Sequence, residues 1–547
     1  MPLNSPQRAH IYLKLKDIIH KYPEKVALID LRKKHMPCLT FSQLEKKIED
    51  FSASLNAVGI KKGERALIFL RPSLDFAPLV FALFKLGIVP VFIDPGMGRI
   101  NLLKAIKHTY PTILIAERPI HYLSLFFKQE LSSIKYFIAP KSIWPMPKVI
   151  SFNKLKKFSA NKTISLQEIN RHELAAILYT SGGTGAPKGV EYTHDIFWQQ
   201  TNTLQQIFHI TPDDIDYPGF PLFSLFTMAM GATSCIPRID PRFPAKANGK
   251  KVIQDIIKVK ATFLAGSPAI WNSIGKYALK HNIKLSKVKT LAMFGAPVST
   301  ELLSIYNQIL TNGDVFTPYG ATEALPVSLI SGKEILRQHL PMILQGKGTC
   351  IGTAVPGVKI KILPISALEL SQETLEHSLP ANQVGEIVVS GNNITAAYYQ
   401  NEEATTLSKI YDKGTIWHRM GDIGFLDEHE RLWFLGRKTH LVKTPSGLLS
   451  SDPCELIFNQ HPQVARSALV QGISRPAIVI ERSDGKLIKG NKQRLFYSEL
   501  SQLAKKYPHT NGITHFYQIK SMPVDIRHNI KIDRQKLSHM AQRGELS

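Results

Sequence analysis

Between Leu178 and Gly189 the chain reads LYTSGGTGAPKG. Gly182, Gly183 and Gly185, the hydroxyls of Thr180, Ser181 and Thr184, and the ammonium of Lys188 gather backbone N–H groups and a positive charge around one point. That is the chemistry of a polyanion cradle. A Walker A loop is excluded, because it needs Gly-Lys-Ser/Thr at the end of the run, and here Lys188 follows Pro187 and precedes Gly189. The Gly-Lys pairs that begin at Gly249, Gly332, Gly346 and Gly485 are followed by Lys, Glu, Gly and Leu, so none of them supplies a P-loop.

Further segments share one theme, the recognition of an activated nucleotide. FGAPV (294–298) ends an apolar run with Gly295 and Ala296, where a flat base can approach the backbone. PYGATE (318–323) offers a ring to stack in Tyr319, a hydroxyl for phosphate in Thr322 and a carboxylate for Mg²⁺ in Glu323. RMGDIG (419–424) reads as a turn carrying Asp422, suited to accept two ribose hydroxyl protons, and FLGRKTH puts Arg437 and Lys438 at an apparent boundary. Singly, each has an ordinary explanation: Gly-Asp is common turn chemistry, and a lone Glu is usually solvated. Their order and co-occurrence give them weight.

The elements that must hold these residues are legible in the apolar patterning. RALIFLR near 65, PTILIAE near 111, AAILYT near 175 and TLAMFGAP near 290 read as short buried strands. Between them lie amphipathic stretches such as LTFSQLEKKIEDFSASLNAVGI, where Leu44, Ile48, Phe51 and Leu55 recur at helical spacing. Strand alternating with helix predicts a parallel α/β sheet with ligands at the strand C-termini. After about residue 350, VKIKILPI, GEIVVSG and RLWFLGRK predict an antiparallel or barrel-like region, then a C-terminal α+β unit. SALELSQETLEHSLPANQ reads as a surface insertion.

At 547 residues the chain exceeds one core and divides into domains. Apolar residues make up 44% and charged residues 20%, the proportions of an ordinary globular protein. The net charge of +25 is spread over scattered lysine pairs, with no basic tract or aromatic-interleaved motif that would suit a nucleic acid. Cys38, Cys235, Cys350 and Cys454 fit neither a disulfide framework nor a zinc spacing, and they read as thiols of a reducing compartment. The N-terminus lacks a signal-peptide pattern. The run from Phe76 to Ile93 is interrupted by Lys85, Gly87 and Pro90, and it predicts a buried helix, a glycine turn and a buried strand instead of a membrane span. The expected protein is cytoplasmic, with a basic surface that can meet anionic lipid.

Taken together, PEKVALID, LTFSQLEKKIEDFSASL, YTSGGTGAPKGVEYTH, YGATE and GDIGFLDEHERLWFLGRK resemble the adenylate-forming superfamily over nearly the whole chain. The resemblance implies a large N-terminal domain (1–436) of parallel α/β sheets plus a distorted β-barrel, a hinge at 437–440, and a small mobile α+β domain (441–547). It implies ATP and Mg²⁺ as cofactors. Thr180, Ser181, Gly182, Gly183, Thr184, Gly185 and Lys188 would surround the β and γ phosphates. Gly295, Ala296 and Tyr319 would hold adenine, Thr322 the α-phosphate, Glu323 the metal, and Asp422 and Arg437 the ribose. Lys531, in MPVDIRHNIKIDRQKL, would contact carboxylate and α-phosphate oxygens.

Two departures narrow the family. Acyl-CoA synthetases carry Ser/Thr-Gly-Lys where this chain has Asn529-Ile530-Lys531, and many carry a histidine or aromatic after PLF where it has Ser224. With DPGMGRINLLKAI, DPRFPAK, LAGSPAIW and GKGTCIGTAVPGVKIKI, these departures are similar to the β-lactone synthetases of olefin biosynthesis. The resemblance implies a long-chain fatty or β-hydroxy acid substrate and assembly with olefin-pathway enzymes. His528 is a candidate base for the substrate hydroxyl. The alternatives are acyl-CoA ligation, which needs CoA, and a nucleotide-binding homologue without turnover; retention of Lys188, Glu323, Asp422 and Lys531 speaks against the latter.

Overall fold

The computed structural model describes residues 10–158, 168–180, 187–240, 242–366, 369–445, 447–473, 475–524 and 531–546. Two seven-stranded sheets dominate residues 26–316. One runs Asp314–Phe316, Thr290–Met293, Phe263–Gly266, Ile215–Pro218, Thr233–Ile236, Val26–Asp30 and Cys38–Thr40, and only its last pair is antiparallel. The other runs Ile150–Ser151, Tyr136–Ala139, Ile113–Ala116, Arg65–Phe69, Val89–Ile93, Leu174–Thr180 and Lys188–Thr193, again antiparallel only at its end. A parallel sheet is covered on both faces. Ile113–Ala116 and Phe263–Gly266 are accordingly buried at every residue.

The helices follow the expected patterning. Phe41–Ala57 starts at a capping box between Thr40 and Gln43 and buries Leu44, Ile48, Phe51 and Leu55. Phe76–Leu86 is buried on every side, its Lys85 ammonium reaching Glu49 at 2.5 Å. Gly87 ends that helix at φ 65°, a left-handed conformation natural to glycine, and the strand Val89–Ile93 follows. The Phe76–Ile93 run is thus helix, turn and strand, and no helix among the described residues is long and apolar enough to cross a membrane.

The texture change after residue 350 is a curled antiparallel sheet in the order Thr349–Cys350, Leu432–Arg437, Thr415–Leu426, Gly385–Gly391, Val358–Leu363, with Lys409–Asp412 paired to the long strand. The segment read as a surface insertion is partly core. Leu370 and Leu375, the latter on a short helix Gln372–Glu376, pack with Leu363, Val388, Ile410 and Trp417. Its polar composition concealed two leucines that close the edge of the sheet.

The last region is a three-stranded sheet, Val464–Gln471, Pro476–Arg482 and His515–Ile519, flanked by helices Ser451–Phe458, Asn491–Ala504 and Arg534–Gln542. Arg534 locks two of these helices together, donating to Glu455 Oε1 at 2.7 Å and Oε2 at 2.5 Å. Towards the curled sheet, Thr349 Oγ1 donates to Asp452 Oδ2 at 2.8 Å and Gln460 Nε2 to the Leu344 carbonyl at 2.7 Å. Cys38 is exposed, the other three cysteines are buried, and all four are free thiols, in line with the expectation of unpaired cysteines.

Candidate active site

Strands Thr290–Met293 and Asp314–Phe316 are parallel neighbours, so the segments that leave their C-terminal ends emerge side by side. One carries Gly295 and Ala296, with Gly295 at φ 89°; the other carries Tyr319 and the turn of Thr322 and Glu323. Beneath them Phe294 stacks on Phe223 (5.7 Å between ring centroids) and Phe223 on Phe263 (5.8 Å). Phe223 of FPLFSLF is therefore packed core at this point, with Phe226 partly buried against the same cluster. Ser224 lies at the start of the helix Phe223–Ala229, and its hydroxyl donates to the Pro221 carbonyl at 2.6 Å.

Asp422 corrects an expectation. It is not in a turn but inside the strand Thr415–Leu426, paired with Arg437 on the neighbouring strand. What the Gly-Asp pair marks is a bulge: Glu386 pairs with Ile423 and Val388 with Arg419, so Met420, Gly421 and Asp422 stand opposite Ile387 alone. Gly421 adopts φ 67° to allow it. A bulge re-aims a side chain, and here Asp422 meets Tyr319, whose hydroxyl donates to Oδ2 at 2.5 Å. Arg437 Nε lies 3.1 Å from Oδ1, yet outside hydrogen-bond geometry, so Oδ1 is buried without a hydrogen bond among the described residues. Burial raises the Asp422 pKa, and the Arg437 charge opposes the rise. The ion pair with Arg437 offsets part of the burial cost and leaves Oδ1 with room to accept a hydrogen bond. A ribose hydroxyl would supply the missing donor, which is the fit this pocket offers a nucleotide.

Thr180 and Lys188 face each other across the antiparallel pair Leu174–Thr180 and Lys188–Thr193, which closes the glycine-rich loop at its base. Ser181, Gly182, Gly183, Thr184 and Gly185 lie outside the described residues, as do His528, Asn529 and Ile530. Lys188 holds its ammonium 5.0 Å from the centroid of the Tyr398 ring. The Tyr398 hydroxyl donates to Glu323 Oε1 at 2.7 Å. One aromatic side chain thus links the lysine of the loop to the carboxylate expected to bind metal.

The strap Ile394–Tyr399 makes this possible. Ile394 pairs with Ala324, the Thr395 N–H donates to the Glu323 carbonyl at 2.9 Å, Tyr398 pairs with Val190, and the Tyr399 N–H donates to the Gly189 carbonyl at 2.7 Å. Below it the buried Lys409 ammonium donates to the Thr395 carbonyl at 2.6 Å. Burial depresses the Lys409 pKa to about 7, against the attraction of Glu323, and drives the adjacent buried His418 well below its ordinary value. Tyr192 completes the support by donating to the Thr322 carbonyl at 2.6 Å. Sequence reasoning passed over Tyr398, Thr395, Lys409 and Tyr192. The aromatic pair in TAAYYQN, just beyond a predicted strand, was the available signal.

Lys531 is exposed beside Ile532, which bridges to Val524, and its charge is felt at Asp422, whose pKa it lowers. Glu323 also acts on Asp422 and on Arg437. Lys188, Tyr319, Thr322, Glu323, Asp422, Arg437 and Lys531 therefore share one electrostatic neighbourhood.

The chain belongs to the AMP-binding enzyme family, whose model matches residues 15–399. It is 35% identical over 512 residues to an olefin β-lactone synthetase of Xanthomonas campestris pv. campestris, covering 91% of this chain and 90% of that protein. It is 34% identical over 513 residues, with the same coverages, to the olefin β-lactone synthetase of Stenotrophomonas maltophilia. In fold it is similar to the o-succinylbenzoate CoA synthetase of Bacillus subtilis solved with ATP and magnesium, at a TM-score of 0.74, 20% identity, and 96% and 98% coverage of the two chains.

Proposed function

We infer that the protein uses Mg·ATP to activate the carboxylate of a long-chain β-hydroxy acid as an acyl adenylate, and then closes the acyl group onto its own β-hydroxyl to give a β-lactone and AMP. The observation that carries the first step is the convergence of Lys188, Glu323, Asp422, Arg437 and Lys531 on one site. The second step is supported by similarity to two β-lactone synthetases along nine-tenths of the chain.

The resemblance to the family suggests each role, and the local geometry supports several of them. Asp422 accepts from the ribose through its Oδ1, with Arg437 beside it. Gly295 and Ala296 face the base, with Tyr319 held against Asp422. Thr322 donates to the α-phosphate. Glu323, oriented by Tyr398, would hold Mg²⁺, which offsets phosphate charge when bound. Lys188 and Lys531 stabilise the oxygens on which charge develops as the substrate carboxylate displaces pyrophosphate.

In the second step the β-hydroxyl oxygen attacks the acyl carbon, the bond from that carbon to the phosphate oxygen breaks, and AMP leaves with the electron pair; the hydroxyl proton passes to a base or to solvent. Holding both groups in one molecule is worth on the order of 7–11 kcal/mol when they are well oriented, and ring strain offsets part of it. No thiol is required.

The hinge belongs to this reading. Residues 437–440 would join an N-terminal domain (1–436) to a C-terminal domain (441–547) whose closure brings Lys531 to the site and excludes water. Lys438 supports it, gripping Glu386 Oε1 at 3.0 Å and Oε2 at 3.1 Å as the strand ends.

The test is a product analysis of purified protein, Mg·ATP and a long-chain β-hydroxy acid, with and without CoA, by mass spectrometry. β-Lactone and AMP without CoA are the expected products. Acyl-CoA formed only when CoA is present would assign the chain to the ligases instead.

A further inference from the structure

Exposed large apolar side chains are scattered along the chain, but four of them, including the two most exposed, fall between residues 123 and 144 beside the second sheet. Trp144 is 85% exposed, Phe126 81%, and Leu123 and Leu125 51% each. Leu123 is on the helix Arg118–Ser124, Leu125 and Phe126 leave its end, and Trp144 is on the loop before Ile150–Ser151. The loop and the helix are fastened together. The Tyr122 hydroxyl donates to the Trp144 carbonyl at 2.6 Å, and Arg118 donates to the same hydroxyl at 3.1 Å and 3.0 Å.

The base of the patch is firm. Ala139, Ile143 and Val149 form a small core against Tyr122, Phe137 and Met146, and His121 Nε2 is within hydrogen-bond distance of the Ala116 and Ile138 carbonyls. The exposed rings are therefore displayed by an ordered scaffold.

Charge says what covers them. From 118 to 150 the chain carries Arg118, Lys128, Lys135, Lys141 and Lys148, all exposed, against the single acid Glu130. Exposed apolar side chains on a stretch of chain rich in exposed cations match the boundary of an anionic bilayer, where tryptophan and phenylalanine sit at headgroup depth and lysines meet phosphates. A second copy of the chain fits poorly, because it would bring two sets of these cations face to face.

We propose that Leu123, Leu125, Phe126 and Trp144, with Lys128, Lys141 and Lys148, form a docking surface for an anionic lipid bilayer. The patch lies apart from the residues of the candidate active site and does not depend on which reaction they perform. For an acid that partitions into lipid, docking would bring the enzyme to its substrate. Each cation near the surface adds about 1 kcal/mol, or roughly fivefold in binding.

The experiment is vesicle co-sedimentation of the full chain with phosphatidylcholine alone and with an equal mixture of phosphatidylcholine and phosphatidylglycerol, at low and high salt. Binding to the mixed vesicles only, weakened by salt, is expected. F126A/W144A and K128E/K141E/K148E should each reduce binding at least ~10-fold, W144F should retain it, and all three should turn over a soluble short-chain acid as the parent does. The proposal is overturned if the parent ignores the anionic vesicles or if F126A/W144A binds as the parent does. It is equally overturned if F126A/W144A only abolishes a dimer seen by sedimentation, which would assign the patch to self-association.

Discussion

The two halves of the candidate active site are built on opposite principles. Tyr319, Asp422 and Arg437 are brought together by one strand pair and one neighbouring segment, and the crucial side chain is aimed by a bulge. Lys188, Tyr398 and Glu323 come from three distant stretches of chain, and a strap that pairs with two of them holds the group in place. In the first half Asp422 Oδ1 is ion-paired with Arg437 but accepts no hydrogen bond among the described residues, a place the proposed ribose hydroxyl would fill. In the second, the Tyr398 hydrogen bond and the cation-ring contact are already made. One half is primed for affinity, the other for geometry.

The largest effect tests whether the halves act on one reaction. Lys531→Ala should lower adenylate formation, read by pyrophosphate exchange, by ~10²–10³-fold while ATP still binds; exchange at the parental rate would remove Lys531 from the chemistry. Next, Asp422→Ala should raise the KM for ATP by ~10-fold or more, since both the ribose acceptor and the partner of Tyr319 are lost. An unchanged KM would mean that this carboxylate is not a nucleotide contact. Tyr398→Phe keeps the ring over Lys188 and deletes the hydroxyl's hydrogen bonds, to Glu323 and with Ser408, so it should raise the Mg²⁺ concentration needed for half-maximal rate several-fold, the bond to the carboxylate being worth about 1.5–3 kcal/mol at most. A change in ATP affinity at saturating Mg²⁺ would show the two halves to be one.

The smallest effect on turnover is expected at the junction with the last region. Burial raises Asp452 from an ordinary 3.8 to about 7. A carboxyl whose folded pKa is raised contributes stability that is full below the unfolded value and is lost as pH climbs through the folded one. Thermal melts of Asp452→Asn and parent should therefore differ increasingly in the variant's favour between pH 4 and pH 7 and run parallel above it. A constant difference across that window would mean that Asp452 is ionised in the fold.

Much of this was legible in local sequence. The alternation of strands and helices and the helix, turn and strand of Phe76–Ile93 follow from short-range patterning, whereas the candidate nucleotide-binding segments are recognised through resemblance to a family. Asp422 was misread because Gly-Asp has the same local signature in a turn and in a bulge; only pairing with Gly385–Gly391 and Leu432–Arg437 decides between them. Tyr398 was missed because its role depends on register with Val190, more than 200 positions away. Leu370 and Leu375 were hidden by polar neighbours. Long-range pairing, invisible in composition, accounts for each.

The strap Ile394–Tyr399 has a consequence for how this chain can vary. Side chains on extended backbone alternate between faces, so inserting or deleting one residue between Ile394 and Tyr398 would turn the tyrosine away from Glu323 while leaving every neighbour chemically intact. The segment can drift in letters but not in length, and gaps in related sequences should avoid these few positions even where identity falls.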